Sequence, residues 1–594
     1  MSRYFLDIES NGLLMDATQV WCVVLKNVDT GDSFSFADFS KINLQPMFDD
    51  TDELIGHNII AYDLPVLRKL LGINYEGKVT DTLLISRLLK PDRPGGHSLA
   101  EWGLRLGFPK GDFKDFSKYS NEMLEYCKND VNVTEKLYHK LKSEMSSYGM
   151  TGDEECFELE NKFAAIINHQ IQAGFTLDVK KAEQLLDELT EENETLAAEL
   201  HGLMPYTRPT IKHELLSETD RQYTYVTLKT MKVVTKDKIS PNPGSRQQIA
   251  DFLISKGWKP EVFTETKQPK VDEKILSTID IPEAKLISRY FRTQKMMSMI
   301  KNDKGGWLNF VRPDTGRVHG DVLTNSTNTG RCSHSKPNMA QVDKKMREVW
   351  IPKAGWKLVD VDAAGLEARG LGHYMAPYDG GTFGFLACQP KHIQDIHEEN
   401  RKIFDMENRD NAKTMLYALI YGAGNKKLGS IYAHDKNTNT KNENVLLHTG
   451  KTVRDSIQQS LKGYKELVDD VAKAFKQRGY LKGIDGRPLH PRNDYSALNL
   501  LIQSAGAIIC KKWLVNLHEL MSDPYFARYL TLGEHYNYLA NVHDEIVIEV
   551  ESEEKGKKII ELARKAMELT GQQLHMNVKL DIEGKIGSNW KEVH

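Results

Sequence analysis

Two groups of acidic residues in this chain of 594 residues have the types and spacing that bind metal ions. Asp7 and Glu9 stand two apart in the strand-like segment YFLDIES, so both carboxylates point to one face of the strand. Leu6 and Ile8 point to the other face. Two like charges on a buried strand are unfavourable unless a cation neutralises them, and carboxylate oxygens suit Mg²⁺ or Mn²⁺. A strand end with solvated acids is the alternative for this pair alone.

Two later segments complete the first group. Asp63 stands beside an apolar run in LIGHNIIAYDLPVL, and Tyr126 and Asp130 are four apart on a predicted helix, hence on one face. A phenol one turn from a carboxylate can orient a water molecule that metal-bound carboxylates activate. The group suits metal-dependent hydrolysis, and a buried structural network is the alternative.

The second group lies in the C-terminal half. Asp362 ends the alternating pattern KLVDVDA, and His543, Asp544 and Glu545 separate two apolar strands in YLANVHDEIVIEV. A hairpin with these acids at its turn would bring Asp544 to the strand that carries Asp362. Two carboxylates so placed can hold two Mg²⁺ ions about 3.5–4 Å apart. For the His-Asp-Glu turn alone, a solvated turn is the alternative.

The segment RDNAKTMLYALIYGAG predicts a helix between these two sites. Arg409, Lys413, Tyr417 and Tyr421 recur every four residues and so lie on one face, and Gly422 is a helix stop. Two cations can bind a triphosphate, and two phenols can stack on a base and a sugar. A basic amphipathic surface helix is the alternative.

Two further segments carry donors that suit nucleic acid. Arginine and glutamine side chains can donate to the base acceptors of the minor groove, contacts that sense base-pair geometry rather than sequence. A polar loop and a helix with satisfied amides are the alternatives. The donors are Arg331, Ser333, His334, Asn338 and Gln341 in TNTGRCSHSKPNMAQV, and Asn499 and Gln503 in ALNLLIQSAG.

These residues need several elements to position them. A chain of 594 residues is too long for one core, so we expect two to four domains. Residues 1–145 have the pattern of strands followed by helices, with YFLDI and WCVVLKNV as adjacent strands. Residues 153–201 have two helical stretches separated by Gly174, 245–300 are helical, and 305–594 mix strands and helices. Residues 205–240 are polar and basic with weak periodicity.

Composition leaves the function open. The net charge of −4 neither indicates nor excludes a nucleic-acid binder. The six cysteines form no ligand-spaced cluster, which favours reduced cytoplasmic thiols over disulfides or zinc. No export signal and no run of about 18 uncharged apolar residues occurs, so a cytoplasmic location without a membrane span is expected. Asp360, which shares the face of Asp362 by alternation, and Cys388 receive no role.

The motif order resembles two known families. D-x-E, N-x4-D and Y-x3-D are similar to the three exonuclease motifs of DnaQ-like proofreading nucleases. D-x4-E, R-x3-K-x3-Y-x3-Y-G and H-D-E resemble motifs A, B and C of family A DNA polymerases, the DNA polymerase I class, and T-G-R-x-S/T-H-x-x-P-N-x-x-Q resembles their primer-contact loop. The resemblance runs nearly end to end and is strongest to replicative polymerases of podovirus-type bacteriophages.

The resemblance implies an α/β multidomain fold, with an RNase-H-like exonuclease domain followed by a right-hand polymerase. The implied domains are exonuclease 1–148, thumb 149–310, palm 311–394 and 481–594, and fingers 395–480. The implied activity is template-directed DNA synthesis with 3′-5′ proofreading, in the host cytoplasm if the chain is phage-encoded.

The resemblance also implies residue roles. Metal ligands would be Asp7, Glu9, Asp63 and Asp130 in the exonuclease, with Tyr126 positioning water, and Asp362, Asp544 and the Ala363 carbonyl in the polymerase, with Glu545 close by. The triphosphate would contact Arg409, Lys413 and His397, and Tyr417 would pack on the sugar beside Glu367. DNA would contact Arg331, Tyr421, Asn499, Gln503 and His543.

Two Mg²⁺ ions per active site are implied, with Mn²⁺ as a substitute. The implied partners are primer-template DNA, dNTPs and, as a candidate, a replisome helicase or primase. Phage relatives that recruit thioredoxin carry a long thumb loop, and the stretch 205–240 is too short for it, which argues against thioredoxin.

Three rival functions are weaker. A single-subunit RNA polymerase would lack the nuclease motifs and the pair of Glu367 with Tyr417. A nuclease alone leaves residues 310–594 without a function, and a non-catalytic scaffold would have lost carboxylates.

Overall fold

The computed structural model describes residues 2–40, 42–207, 214–227, 230–390, 392–438, 440 and 442–594. These residues form two compact units, each with its own core. The first unit comprises Met1–Thr176, His319–Val342 and Ile351–His594, and the second comprises Leu177–Val318 and Asp343–Trp350. All the candidate site residues belong to the first unit.

The N-terminal part of the first unit is a five-stranded sheet with helices. The sheet order is β3-β2-β1-β4-β5, in which β1 runs antiparallel to β2 and parallel to β4. The elements are β1 (Arg3–Ser10), β2 (Val20–Asn27), β3 (Ser33–Phe36), α1 (Gln45–Asp49), β4 (Glu53–Gly56), α2 (Asp63–Leu71), β5 (Lys78–Asp81), α3 (Thr82–Leu89), α4 (Leu99–Arg105) and α5 (Asn121–Ser147).

The period-two pattern of β1 explains how this sheet is packed. Leu6 and Ile8 are buried in one hydrophobic cluster, whereas Phe5 is buried in another with Cys127 and Val131 of α5. Side chains of a strand alternate between its faces, so the two clusters lie on opposite sides of the sheet. This confirms the predicted adjacent strands and the predicted faces of β1.

The next segment leads into and forms most of the second unit. The predicted division at Gly174 is confirmed, because Gly174 ends α6 with its N–H on the Gln170 carbonyl. The elements are α6 (Glu155–Ala173), β6 (Phe175–Leu177), α7 (Val179–Leu203), β7 (Glu214–Glu218), β8 (Gln222–Thr227), β9 (Lys232–Asp237), α8 (Arg246–Ser255), α9 (Glu273–Leu276), α10 (Pro282–Ile300), α11 (Trp307–Phe310) and β10 (Arg317–Val318).

The polar stretch 205–240, which received no element from the sequence, contains a three-stranded antiparallel sheet of β7, β8 and β9. Residues 208–213 and 228–229 of that stretch lie outside the described residues. Tyr223 and Tyr225 alternate with polar residues on β8 and are the buried pair of the sheet. One short alternation among many charged residues was too weak a signal to predict it.

The remaining elements complete the first unit. A four-stranded antiparallel sheet of order β17-β18-β14-β19 carries the second acidic group. The elements are β11 (Asp321–Leu323), β12 (Ser333–Ser335), 3₁₀ turns Met339–Gln341 and Lys344–Val349 (the latter in the second unit), β13 (Trp350–Ile351), β14 (Lys357–Ala363), α12 (Leu366–Asp379), α13 (Thr382–Ala387), α14 (Ile396–Ile403), α15 (Arg409–Ile420), α16 (Asn425–Asp435), α17 (Glu443–Ser460), α18 (Tyr464–Arg478), β15 (Leu481–Lys482), β16 (Pro488–Leu489), α19 (Asp494–Ser522), β17 (Tyr536–Val542), β18 (Glu545–Val550), α20 (Glu553–Gln573), β19 (Ile582–Gly587) and α21 (Trp590–Val593).

Helix α19 organises this part of the chain. One end of α19 packs in a cluster with helices α12 and α15–α18, and the rest packs with α20 and the four-stranded sheet. Its length and apolar composition would also suit a membrane span, and it is the one such helix among the described residues. However, 83% of its apolar window is buried inside the protein, as in a core helix.

Candidate active sites

The first acidic group forms a cluster, here called the N-terminal centre, of Asp7, Glu9, Asp63 and Asp130. Strand β1 supplies Asp7 and Glu9, Asp63 is the first residue of α2, and Asp130 lies on α5. The backbone N–H of Ile8, which stands between Asp7 and Glu9, donates to Asp63 Oδ1 at 3.2 Å. This hydrogen bond fixes the start of α2 against β1.

The N-terminal centre has the electrostatics of a cation site. Burial, then the charges of Asp130, Asp63 and Glu9, raise the pKa of Asp7 well above its usual value. Burial also raises the pKa of the other three carboxyls. The buried Oδ1 of Asp130 has no hydrogen-bond partner in the part of the chain that the structure describes. A compact set of oxygen donors with a buried, unbonded oxygen fits Mg²⁺ or Mn²⁺.

Lys110 and Cys127 also contact this centre, and the sequence analysis missed both. Lys110 forms an ion pair with Asp130, and its Nζ lies 4.8 Å from the centroid of the Tyr126 ring. The Cys127 thiol donates to the carbonyl and to Oδ2 of Asp7, each at 3.4 Å. Tyr126 and Asp130 share a face of α5 as predicted, whereas a loop lysine and a lone cysteine have no periodic signal.

The second acidic group forms the C-terminal centre, where β14 ends beside the turn between β17 and β18. Asp362 pairs in register with Glu545, and the backbone N–H of Ala363 donates to the carbonyl of Asp544 at 3.0 Å. His543 takes a left-handed backbone at the turn, with φ of 58°. The predicted hairpin is confirmed, and it brings Asp544 to the end of the strand that carries Asp362.

Carboxylates crowd the C-terminal centre as well. Burial, then the charges of Asp544 and other acids, raise the pKa of Asp362 to about 7. Burial and Glu367 raise the pKa of Asp544. Glu583 pairs with Asp362 from the other neighbouring strand, β19, and was missed because strand pairing leaves no local signal. This donor set also fits hard divalent cations.

Glu545 pairs with Asp362 and also contacts a second group of side chains, which includes Asp360 and residues at the C-terminus. Glu545 Oε1 accepts a hydrogen bond from the Trp590 indole N–H, and Oε2 lies 3.5 Å from His594 Nδ1. Asp360, which received no role from the sequence, has a carboxylate oxygen within 4.8 Å of ligand atoms of Glu545 and His594. Asp360 is only 4% exposed, and α21 packs against β14.

Helix α15 presents the predicted row of side chains. The Lys413 Nζ lies 6.0 Å from the centroid of the Tyr417 ring, and the rings of Tyr417 and Tyr421 stack with centroids 6.2 Å apart. His397 of α14 is buried, with its ring centroid 6.1 Å from that of Tyr417. Phenols, an ammonium and an imidazole thus lie side by side near the end of α15.

Arg409 begins this helix and has two acidic partners. Its Nη2 lies 2.6 Å from Asp395 Oδ2, and its Nη1 lies 3.0 Å from the exposed Asp410. Asp395 also accepts the backbone N–H of His397 at 2.8 Å, so one carboxylate joins Arg409 to the cap of α14. Sequence reasoning missed Asp395, because an acid before a helix indicates only an N-cap.

Glu367 lies beside both tyrosines at the end of α15, as the prediction of Tyr417 beside Glu367 requires. The phenol that donates to Glu367 Oε1, at 2.8 Å, is that of Tyr421. Helix α15 ends at Ile420, and Tyr421 is its C-cap residue. Gly422 has a φ of 67°, which agrees with the predicted helix stop. Tyr417 is still a neighbour, because burial and the charge of Glu367 raise its pKa to about 12.

The donor-rich loop lies beside the same carboxylate. Arg331 Nη2 is 3.9 Å from Glu367 Oε1. Burial and the proximity of His543 lower the pKa of His334 to about 4, so the imidazole is neutral at pH 7. Arg331 is therefore the charged donor that the loop offers beside Glu367.

The other predicted donors divide into bonded and exposed groups. Gln503 Nε2 donates to Asn499 Oδ1 at 2.6 Å, so the two amides on α19 orient each other. Ser333 accepts from Ser326 at 2.7 Å, and Asn338 caps a 3₁₀ turn. Gln341 is exposed at the end of that turn.

Comparisons with known proteins agree with this geometry. Residues 212–592 match the DNA polymerase family A, and residues 12–146 match the 3′-5′ exonuclease family. Families of these two kinds generally depend on divalent metal ions, which the carboxylates of both centres suit.

Individual relatives cover the whole chain. The DNA-directed DNA polymerases of Enterobacteria phage T3 and Escherichia phage T7 are each 30% identical over 99% of both chains. These alignments span 707 positions against the 594 residues here, so the relatives have over one hundred positions without a counterpart. The DNA polymerase I of Aquifex aeolicus is 24% identical over 90% of this chain and 88% of its own.

One solved structure has the same fold. It is the polymerase domain of Pol1 from M. smegmatis in complex with DNA primer-template and dNTP, with a TM-score of 0.76 and 17% identity over 99% of this chain and 96% of that one. The family matches and the full-length phage relatives lead to one conclusion. The chain belongs to DNA polymerase family A and carries a 3′-5′ exonuclease domain ahead of its polymerase domain.

Proposed function

We propose that the C-terminal centre joins nucleotides to a primer and that the N-terminal centre removes wrong ones, each with two divalent metal ions. The observation that supports this most is the pair of separate carboxylate clusters in one chain, each with acid pKa values raised by burial and neighbouring charge. Both clusters suit Mg²⁺, and Mn²⁺ has the same preference for oxygen ligands.

At the C-terminal centre, Asp362, Asp544 and the Ala363 carbonyl would hold the metal ions. When bound, such ions activate the attacking hydroxyl and stabilise charge on the leaving group. Arg409, Lys413 and His397 would hold the triphosphate of the incoming dNTP, since guanidinium and ammonium groups pair strongly with phosphate oxygens.

Tyr417 and Glu367 would select the sugar. The Tyr417 ring would pack on the deoxyribose, and Glu367, held by the Tyr421 hydroxyl at 2.8 Å, would occupy the space of a ribose 2′-OH. Tyr421, at the end of α15, would also border the template base. An oriented carboxylate in that position rejects an extra hydroxyl because it leaves no room for it.

At the N-terminal centre, Asp7, Glu9, Asp63 and Asp130 would hold the metal ions, and Tyr126 would orient the attacking water. Phosphodiester hydrolysis then uses the same metal chemistry as synthesis, with water in place of the primer hydroxyl.

DNA contacts follow from the donors around the C-terminal centre. Arg331, Asn499 and Gln503 would read the minor groove of the primer-template, where acceptors report base-pair shape. His543, at the turn beside Asp544, would lie near the primer end. The Pol1 structure of the same fold holds both primer-template DNA and dNTP, which supports these ligands here.

We also propose that the chain is divided into an exonuclease domain, 1–148, a thumb, 149–310, a palm, 311–394 and 481–594, and fingers, 395–480. A replisome helicase or primase remains a candidate partner. Thioredoxin is not proposed as a partner, because the stretch 205–240 is too short for the long thumb loop of the relatives that recruit it.

Two substitutions test the division of labour on a primed template. Asp362→Ala should abolish synthesis and keep 3′-5′ digestion, and Asp7→Ala should do the reverse. Asp469→Ala and Asp38→Ala, at exposed sites in the two regions, are the matched controls and should keep both activities. Normal primer digestion by Asp7→Ala would refute the assignment of the N-terminal centre.

A further inference from the structure

Lys110 lies on the loop between α4 and α5 and belongs to none of the sequence motifs. The loop backbone is fixed at the two residues just before Lys110. The Phe108 N–H donates to the Gly103 carbonyl at 2.9 Å, and Asn129 of α5 donates to the Pro109 carbonyl at 3.3 Å. A Cβ on Gly103 would lie 2.8 Å from the Phe108 carbonyl oxygen, so this close approach requires glycine.

The Lys110 ammonium contacts two groups that the proposed exonuclease reaction needs. It pairs with Oδ2 of Asp130, whose side chain is only 2% exposed, and it lies 4.8 Å from the centroid of the Tyr126 ring. The other oxygen of Asp130, Oδ1, is buried and has no hydrogen bond to any described residue. Lys110 therefore holds one oxygen of Asp130 and leaves the other available to a ligand.

The same loop encloses the Tyr126 ring from other directions. Phe113 and Phe116 lie with ring centroids 5.7 and 6.2 Å from that of Tyr126. The Trp21 indole donates to the Phe116 carbonyl at 2.9 Å, which attaches this part of the loop to β2. The loop thus immobilises the phenol, and Lys110 is its one charged contact with the ring among the described cation–ring pairs.

We propose that Lys110 is a positioning residue for the 3′-5′ exonuclease reaction, which fixes the Asp130 carboxylate and the Tyr126 phenol relative to each other. The inference rests on the proposed roles of Asp130 and Tyr126 in the N-terminal centre. Its physical basis is the pair of contacts made by one ammonium on a loop that is itself fixed.

The charge of Lys110 gives the proposal a distinctive consequence. A cation paired with a metal-binding carboxylate repels a divalent ion, so removing it should leave metal affinity equal or higher. The hydrolysis rate should fall, because Asp130 and Tyr126 lose their common support. Residues that orient metal ligands typically change activity by about 10–100-fold when substituted. A substitution that simply unfolded the centre would lower the rate and the metal affinity together.

Three substitutions test this, all made in chains that carry Asp362→Ala and Asp544→Ala to remove the polymerase metal site. Lys110→Met keeps the length of the side chain without its charge, and Lys110→Arg keeps the charge. Lys114→Met is the matched control on the same loop, since the Lys114 side chain is 83% exposed. The readouts are kcat and KM for digestion of a single-stranded oligonucleotide, and Mn²⁺ binding followed by electron paramagnetic resonance.

We expect Lys110→Met to lower kcat about 10–100-fold, with KM and Mn²⁺ affinity retained or improved. Lys110→Arg should recover most of the rate, and Lys114→Met should match the parent. The proposal is overturned if Lys110→Met digests normally, or if its Mn²⁺ affinity falls by the same factor as its rate. Asp7→Ala distinguishes failure of the Lys110 proposal from failure of the proposed exonuclease centre. If Asp7→Ala still digests DNA, the proposed centre itself is wrong, whatever Lys110→Met does.

Discussion

Four buried charges connect α6, the β15–β16 hairpin and α19, and a substitution there has a calculable effect. Glu160 of α6 accepts from Lys511 Nζ at 2.7 and 2.8 Å and lies 2.7 Å from Arg487 Nη1. Arg487 also pairs with Asp485 at 2.7 Å. All four side chains are 1–3% exposed, and their formal charges cancel.

Removing one charge leaves the interior with a net charge. Glu160→Gln leaves one excess positive charge, and Lys511→Met leaves one excess negative charge. Each should lower the free energy of unfolding of this region by about 3–5 kcal/mol, the usual cost of an uncompensated buried charge. The double variant is neutral again, with Arg487 still paired to Asp485. Its cost should therefore be well below the sum, with a coupling energy near the upper end of about 0.5–3 kcal/mol.

A surface pair on the same two helices is the matched control. Lys162 of α6 lies 2.8 Å from Glu519 of α19, with side chains 47% and 48% exposed. Lys162→Met should cost at most about 1 kcal/mol, because exposed ion pairs contribute little. Native-state hydrogen exchange of the amides in α6 and α19 measures the local opening free energy without assuming two-state unfolding. The reasoning fails if Glu160→Gln costs no more than Lys162→Met, or if the double variant costs the sum of the singles.

Two further predictions concern packing and pH. A Cβ on Gly450 of α17 would lie 1.8 Å from the Asn425 carbonyl oxygen, so Gly450→Ala should lower the thermal unfolding midpoint by the equivalent of about 3 kcal/mol or more. Gly202→Ala on α7, with no atom within 4 Å, should leave it unchanged or slightly higher. Burial and His169, opposed by Glu519, lower the pKa of His518 from 6.5 to about 4. The unfolded chain then takes up this proton first, so stability is lost as pH falls from 6.5 to about 4. His518→Phe should reduce that loss in urea unfolding series, and an unchanged pH dependence would contradict the assignment.

Residues whose positions follow from a local period were predicted well from sequence. The alternation of β1 placed Asp7 and Glu9 on one face of that strand. The four-residue spacing of α15 placed Arg409, Lys413 and Tyr417 on one face of that helix. Lys110 and Asp395 were not predicted, although each contacts a candidate site residue. Both lie outside regular elements, where a side chain's direction depends on tertiary packing and not on a period. The same holds for the hydroxyl that reaches Glu367, since Tyr421 lies just beyond the last helical residue.

Asp360 shows the limit of a correct period. Alternation on β14 places Asp360 and Asp362 on the same face, and the register with β18 and β19 agrees. Only Asp362 lies at the end of the strand beside the Asp544 turn, whereas Asp360 lies two residues back, near Glu545 and His594. Trp590, fully buried on α21, occupies the space over that part of the sheet and donates to Glu545. The period of a strand therefore specifies the face of the sheet on which a carboxylate lies. A helix more than 200 residues later in the chain decides whether that part of the face is open to solvent. Access to metal and substrate is a property of tertiary packing, which explains why two acids with one sequence signature have different surroundings.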